Sequence, residues 1–186
     1  MEPVTDDELL EVLIGARVEV PLHRLSLEGP PRLRETGRGP AARRLEALLE
    51  LVRRLSRAPL PRGDPVESPP LLADRLRPRF QGAFREEFLV LLLDGRNRIL
   101  REVTASVGTL DAALVVPRDV LVEAIREAAS GILCVHNHPS GTAVPSPEDV
   151  RVTRRLREVC TLAGLRFVDH LIVGETGYFS FEEERM

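Results

Sequence analysis

Val135-His136-Asn137-His138-Pro139-Ser140-Gly141 is the stretch from which the fold and the chemistry of this chain are read. Directly before it runs Gly131-Ile132-Leu133-Cys134-Val135, short, apolar and flanked by turn residues, the pattern of a buried strand entering a loop. The two histidines then sit at a strand's end. Successive strand side chains alternate faces, so His136 and His138 can point to one side, and two imidazoles so placed can bind one metal ion.

Across the loop, Ser146-Pro147-Glu148-Asp149 reads as a helix start, with a cap residue, a proline at the first helical position and an acid three residues after the cap. Asp149 falls in the first turn. If strand end and helix start face each other, His136, His138 and Asp149 supply two nitrogens and one oxygen. A fourth tetrahedral position stays open for water, the ligand count of a catalytic zinc site. The residues alone leave a plainer reading open, in which the histidines are polar loop groups and Asp149 complements the helix dipole.

His136-x-His138-Pro139, six further residues, Ser146, two more and Asp149 resemble the motif of the JAMM (MPN-plus) metalloproteases, and His-Asn-His-Pro-Ser-Gly resembles the form found in RadC-like proteins. The resemblance implies a zinc ion held by His136, His138 and Asp149. It also implies a glutamate on an early strand that takes the proton of the attacking water, placed two residues before a phenylalanine. Glu86-Glu87-Phe88 offers Glu86 for that role, with Glu87 as the fallback, since neighbours on a strand face opposite ways. By the same resemblance Ser146, besides capping its helix, hydrogen-bonds the oxyanion of a tetrahedral intermediate. Asp169-His170 before Leu171-Ile172-Val173-Gly174 resembles the Asp-His of RadC-like chains, either beside the zinc ligands or as a satisfied pair within the sheet. Thr142, where aspartate is frequent, and Asp119, where glutamate is usual, depart from that pattern.

The remaining histidine and thiols carry less. His23 stands alone in a proline-bounded loop. Cys134 is in register with the two histidines, yet a free cysteine in an apolar strand is expected in the core, as is Cys160.

The 186 residues have room for one well-formed core and a small second domain, and 43% hydrophobic with 30% charged residues is the balance of a soluble globular protein. The longest apolar run, Phe88 to Leu93, is too short to cross a bilayer, so no membrane span is expected. Met1-Glu2-Pro3 has no secretory pattern and two distant cysteines are no disulfide framework, which makes the cytoplasm the expected compartment.

Every basic residue is arginine, and the net charge of −3 is unevenly spread. Nine arginines against three acids lie between Pro30 and Arg62, whereas the first twenty residues hold six acids and one arginine. Arginine grips phosphates, but a GC-rich genome accounts for an all-arginine composition at least as well.

In chain order, Thr5-Asp6-Asp7-Glu8 is a capping box opening a short helix to Gly15, and a second helix is expected from about Gly39-Pro40 to Arg57, with a stripe of Leu45, Leu48, Leu49, Leu51, Val52 and Leu55. Between them Arg34 to Pro40 resembles a worn helix-hairpin-helix turn, of the kind RadC-like proteins carry near their start. That assigns residues 1–60 to a helical, helix-hairpin-helix-like domain and makes DNA an alternative partner through its arginines. Residues 61–79 read as a proline-rich linker with a short helix stopping before Pro78.

Residues 80–186 form the second, JAMM/MPN-like domain. Strands are expected at Glu86 to Leu93, Ile99 to Val107, Ala113 to Val116, the histidine strand, Leu165 to Val173 and Tyr178 to Phe181. Helices start at Pro117 and at Ser146. The fold class is α/β, a mixed sheet sandwiched by helices. The expected activity is a zinc-dependent metallopeptidase or isopeptidase acting on a protein or peptide. A DNA-associated protein with a structural or vestigial metal domain is the alternative. Metal-dependent cleavage of nucleic acid fits less well, because it favours two metals.

Overall fold

Phe88 to Leu93 is six apolar residues in unbroken succession, a run that suits a strand covered on both faces, and the sheet is built around it. The computed structural model describes residues 11–13, 15, 40–108 and 115–186. The chain divides into two compact units, Met1–Ala58 and Pro59–Met186. In the first, helix α1 (Pro40–Ser56) occupies the expected second helix. The residues of the expected hairpin turn, 34–39, and of the first capping box, 5–8, lie outside those described.

The second unit contains, in order, α2 (Pro69–Phe80), β1 (Glu86–Leu93), β2 (Ile99–Gly108), α3 (Pro117–Arg126), β3 (Gly131–Asn137), α4 (Pro147–Leu162), β4 (Arg166–Val173) and β5 (Tyr178–Ser180). The sheet order is β2-β1-β3-β4-β5. All neighbours are antiparallel except β3 and β4, which run parallel and are joined by α4. A parallel pair needs such a crossover. The architecture is thus a mixed α/β sheet between helices.

Strand alternation divides the core. Leu89, Leu91, Leu93, Leu133 and Val135 face α2, where they meet Leu72, Leu76 and Phe80. Phe88, Val90, Leu92, Ile132 and Cys134 face the other way, against Val120 and Ala124 of α3 and Leu156 and Cys160 of α4.

Three expectations are corrected. The proline-rich stretch does not run as a free linker: Gly63 N–H donates to Ile99 O at 2.7 Å, Ile99 N–H to Asp64 O and Val66 N–H to Asn97 O, each at 2.9 Å, and Leu60 is buried. Prolines forbid only their own amides, and the residues between them pair with the β1–β2 hairpin as an edge would. Second, α2 continues through Pro78 to Phe80. The proline removes a single helical hydrogen bond, and Leu76, Arg79 and Phe80 around it are anchored by burial. Third, there is no strand at Val115–Val116. Val115 is buried beside α3 and Val116 is the extended N-cap of that helix; residues 113 and 114 lie outside those described.

Among the described residues, no helix is long and apolar enough to cross a membrane.

Candidate metal centre

The parallel β3–α4–β4 unit brings the carboxyl end of β3 against the amino end of α4, the place where open α/β sheets bind ligands. His136 and His138 come from the strand end and Asp149 from the first helical turn, as expected, and all three are buried. His136 Nε2 lies 3.0 Å from His138 Nε2 and 3.1 Å from Asp149 Oδ1; His138 Nε2 lies 3.3 Å from Asp149 Oδ2. Their donor atoms fall within 4.8 Å of one another. Ligands about 2.0 Å from a tetrahedral zinc are separated by roughly 3.3 Å, and these contacts come close to that spacing, the two histidines meeting different oxygens of Asp149. Two ring nitrogens 3.0 Å apart also require a proton or a cation between them.

The charge states agree with that. Burial by itself pushes the Asp149 carboxyl up, but hydrogen bonding from His136 and His138 overrides it and holds Asp149 far below the usual carboxylate range. The same carboxylate raises His138 above an ordinary imidazole.

Asp149 is held twice over by the helix cap. Its Oδ2 accepts from Ser146 N–H at 2.7 Å and from Ser146 Oγ at 2.6 Å, while Ser146 Oγ accepts from Asp149 N–H at 3.1 Å. The capping box is therefore also what aims the Asp149 carboxylate, and the Ser146 proton is committed to Asp149.

Each histidine is oriented through its other nitrogen. His138 Nδ1–H donates to Thr142 O at 3.1 Å. That loop is fixed by Glu175 N–H donating to Gly141 O at 2.8 Å, and the turn carrying Glu175 by Arg77, which donates to Gly174 O at 2.6 Å and Gly177 O at 3.0 Å. Gly141 adopts φ +76°, a left-handed conformation that suits glycine. His136 stacks on Phe88 at 5.6 Å and its Nδ1 lies 2.8 Å from His170 Nε2.

The two glutamates separate as alternation requires. Glu87 is bonded to Arg79 on the α2 face. Glu86, 7% exposed, faces the cluster: burial raises its carboxyl, His136 and His138 draw it down, and Asp149 pushes it up. Asn137 pins this strand start, accepting from Glu87 N–H at 2.8 Å and donating to Arg85 O at 3.1 Å.

Asp169 and His170 turn out to do different things. Asp169 accepts from Ser180 Oγ, His170 N–H and Glu182 N–H, tying β5 and the C-terminal turn to β4. His170 lies behind the ligands. It gets there through an extra residue in β4: Ile132 pairs with Phe167 but Leu133 with Asp169, leaving Val168 unpaired. Without that bulge, alternation would send His170 to the α2 face. Burial, reinforced by His136, holds its pKa well below the ordinary value, so it is neutral. Cys134 lies on the metal side of β3 but in the apolar cluster with Leu156 and Cys160. Burial pushes its thiol well up, and that of Cys160 up to about 11.

A cleft of about 270 Å³ opens beside His138, walled by Phe80, Ala83, Phe84, Pro139 and Glu175. Sequence periodicity gave no sign of it, because its walls come from the end of α2 and from loops far apart in the chain.

A buried two-histidine, one-aspartate cluster that could hold a metal ion, at the head of a β–α–β crossover, sets this α/β domain apart. Residues 66–186 match the RadC-like JAB domain, and the chain belongs to that family. Over 148 residues it is 49% identical to a UPF0758 protein of Syntrophotalea carbinolica, covering 79% of this chain and 65% of the relative. A UPF0758 protein of Rubrobacter xylanophilus is 48% identical over 143 residues, 76% of this chain and 62% of that one. One from Actinobacillus pleuropneumoniae is 33% identical over 201 residues, 99% of this chain and 91% of the relative. The chain thus spans under two thirds of the length of several relatives it matches.

Proposed function

We propose that this domain is a zinc-dependent peptidase or isopeptidase, with His136, His138 and Asp149 as metal ligands and Glu86 as general base and acid. The observation that carries the reading is the buried cluster of His136, His138 and Asp149, in which one donor atom from each lies within 4.8 Å of the others, the two-nitrogen, one-oxygen set of a catalytic zinc site. The resemblance to JAMM metalloproteases supplies the reaction class. Zinc bound there would polarise the scissile carbonyl and lower the pKa of its water towards neutrality.

Glu86 takes the proton of the attacking water and returns it to the leaving amine. Its raised pKa matches that exchange, because a carboxylate closer to neutrality both accepts and donates more readily. Glu87, spent on Arg79, is not available for it. Ser146 orients Asp149; to donate to a substrate oxyanion its hydroxyl must turn away from Oδ2. The cleft beside His138, with apolar walls and main-chain groups of residues 139–141 and 173–175, receives an extended peptide segment.

The test is elemental analysis of the purified protein beside a His138→Ala, Asp149→Ala double variant, followed by peptide and ubiquitin-like substrates with a Glu86→Gln control. Near one zinc per wild-type chain, lost in the double variant, is expected. A wild type that holds no zinc after reconstitution rules the reading out.

A further inference from the structure

His170 is fully buried between two rings, Phe181 lying parallel at 5.0 Å and Phe88 tilted at 5.1 Å. Both of its nitrogens are engaged. Nε2 lies 2.8 Å from His136 Nδ1, and Nδ1 lies 2.5 Å from Thr153 Oγ1. The direction of these contacts follows from one atom that has no proton to give. Thr153 Oγ1 also lies 2.5 Å from the main-chain carbonyl oxygen of Asp149, which can only accept. The hydroxyl has a single proton, so that proton goes to the carbonyl, and the Thr153 oxygen accepts from His170 Nδ1–H. A neutral imidazole protonated on Nδ1 has its lone pair on Nε2. His136 Nδ1–H therefore donates to His170 Nε2, which leaves Nε2 as the His136 nitrogen turned to His138 and Asp149.

We propose that Thr153 and His170 are positioning residues that hold a proton on His136 Nδ1, so that Nε2 is the nitrogen this ring offers to a metal. The relay begins at the carbonyl of Asp149, itself a ligand, and ends on a second ligand. It ties α4, β4 and β3 into one arrangement through His170, which the Val168 bulge turns to this face. His138 needs no relay, since Thr142 O accepts from its Nδ1–H directly. The inference rests on the reading of His136, His138 and Asp149 as a metal site.

Two measurements test it. In metal-free wild-type protein labelled with ¹⁵N at histidine, both His136 and His170 are expected to carry Nδ1–H, with a through-bond coupling between His136 Nδ1 and His170 Nε2. His170 protonated on Nε2 instead overturns the proposal, whether or not the protein binds zinc. Zinc affinity, measured by competition with a chelator, is the second readout. His170→Phe keeps the ring stack but offers no acceptor, and is expected to lose about 10- to 100-fold. His170→Gln, whose amide can accept from His136 and donate to Thr153, is expected to stay near wild type. Thr153→Val should behave like the phenylalanine variant and Thr153→Ser like wild type. Unchanged affinity in folded His170→Phe and Thr153→Val, or equal losses for phenylalanine and glutamine at position 170, overturn it. A wild type without zinc fails the metal reading, and the tautomer measurement alone then decides the relay.

Discussion

Arg79 donates to both carboxylate oxygens of Glu87, from Nη2 at 2.5 Å and from Nε at 3.3 Å, on the face of β1 turned away from the metal ligands. Arg79 also pairs with Glu102 of β2, so α2 is bolted to two strands through one guanidinium. That pairing occupies Glu87 and leaves Glu86 as the carboxylate on the side of His136, His138 and Asp149.

The two glutamates should therefore fail differently. Glu86→Gln is expected to keep zinc and stability while lowering turnover by about 10²- to 10⁴-fold. Glu87→Ala should keep turnover and lower unfolding free energy by roughly 1–3 kcal/mol, because Arg79 loses a partner in a mostly buried position. Urea titration beside a peptidase assay reads both, and a silent Glu86→Gln would remove that residue from the mechanism.

Gly174 tests the loop behind His138. A Cβ there would lie 2.8 Å from Gly141 O and 3.0 Å from Ala143 N, main-chain atoms that cannot swing aside. Gly174→Ala should displace the Thr142 carbonyl and weaken zinc binding roughly 10-fold or more. Gly177→Ala, where nothing lies within 4 Å of the new Cβ, is the control and should change stability by no more than about 0.5 kcal/mol. Equal zinc affinity in the two variants would refute the link.

Ser146→Ala removes the cap and one hydrogen bond to the ligand carboxylate together. The expected cost is about 1 kcal/mol in metal-free stability, with a further loss in zinc affinity. A variant that loses stability but binds zinc as wild type does would confine Ser146 to the cap.

The pH response should reverse with metal. His138 has a raised pKa in the folded chain, so its contribution to metal-free stability is present below about pH 6.5 and is lost as pH rises through the raised value. Glu86 and Asp169, both raised chiefly by burial, act in the same sense from about pH 4 upward. Asp149, depressed, contributes above about pH 3.9 and loses that only as pH falls further. His170, held well below an ordinary imidazole by burial, acts in the opposite sense and costs stability as pH falls below about 6.5. The His138 part is therefore read as a difference: the stability of metal-free wild type relative to His138→Ala should be greater at pH 5.5 than at pH 8. With zinc the His138 contribution reverses, since protons compete for it. A metal-free difference that grows with pH would contradict the assignment.

Both thiols should be silent. Cys134 and Cys160 are buried with raised pKa values, so neither should react with a thiol reagent until the domain unfolds, and Cys134→Ala should keep its zinc. Loss of zinc in that variant would bring Cys134 back as a ligand.

Local spacing was enough to read from the sequence that His136, His138 and Asp149 come together. His136 lies near the end of a strand and His138 just past it, and Asp149 is three residues past a serine cap, so each placement depends only on backbone periodicity and cap chemistry. β1, β2 and α4 were legible for the same reason. Tertiary structure alone decided what depended on partners distant in sequence. Alternation shows that Glu86 and Glu87 face opposite ways, but Arg79 and the histidines determine which side is which. Pro78 looked like a helix end until core burial carried α2 past it. The position of His170 turns on one unpaired residue, Val168, and a bulge has no hydrophobic period to announce it: it exists only where β4 is paired with β3.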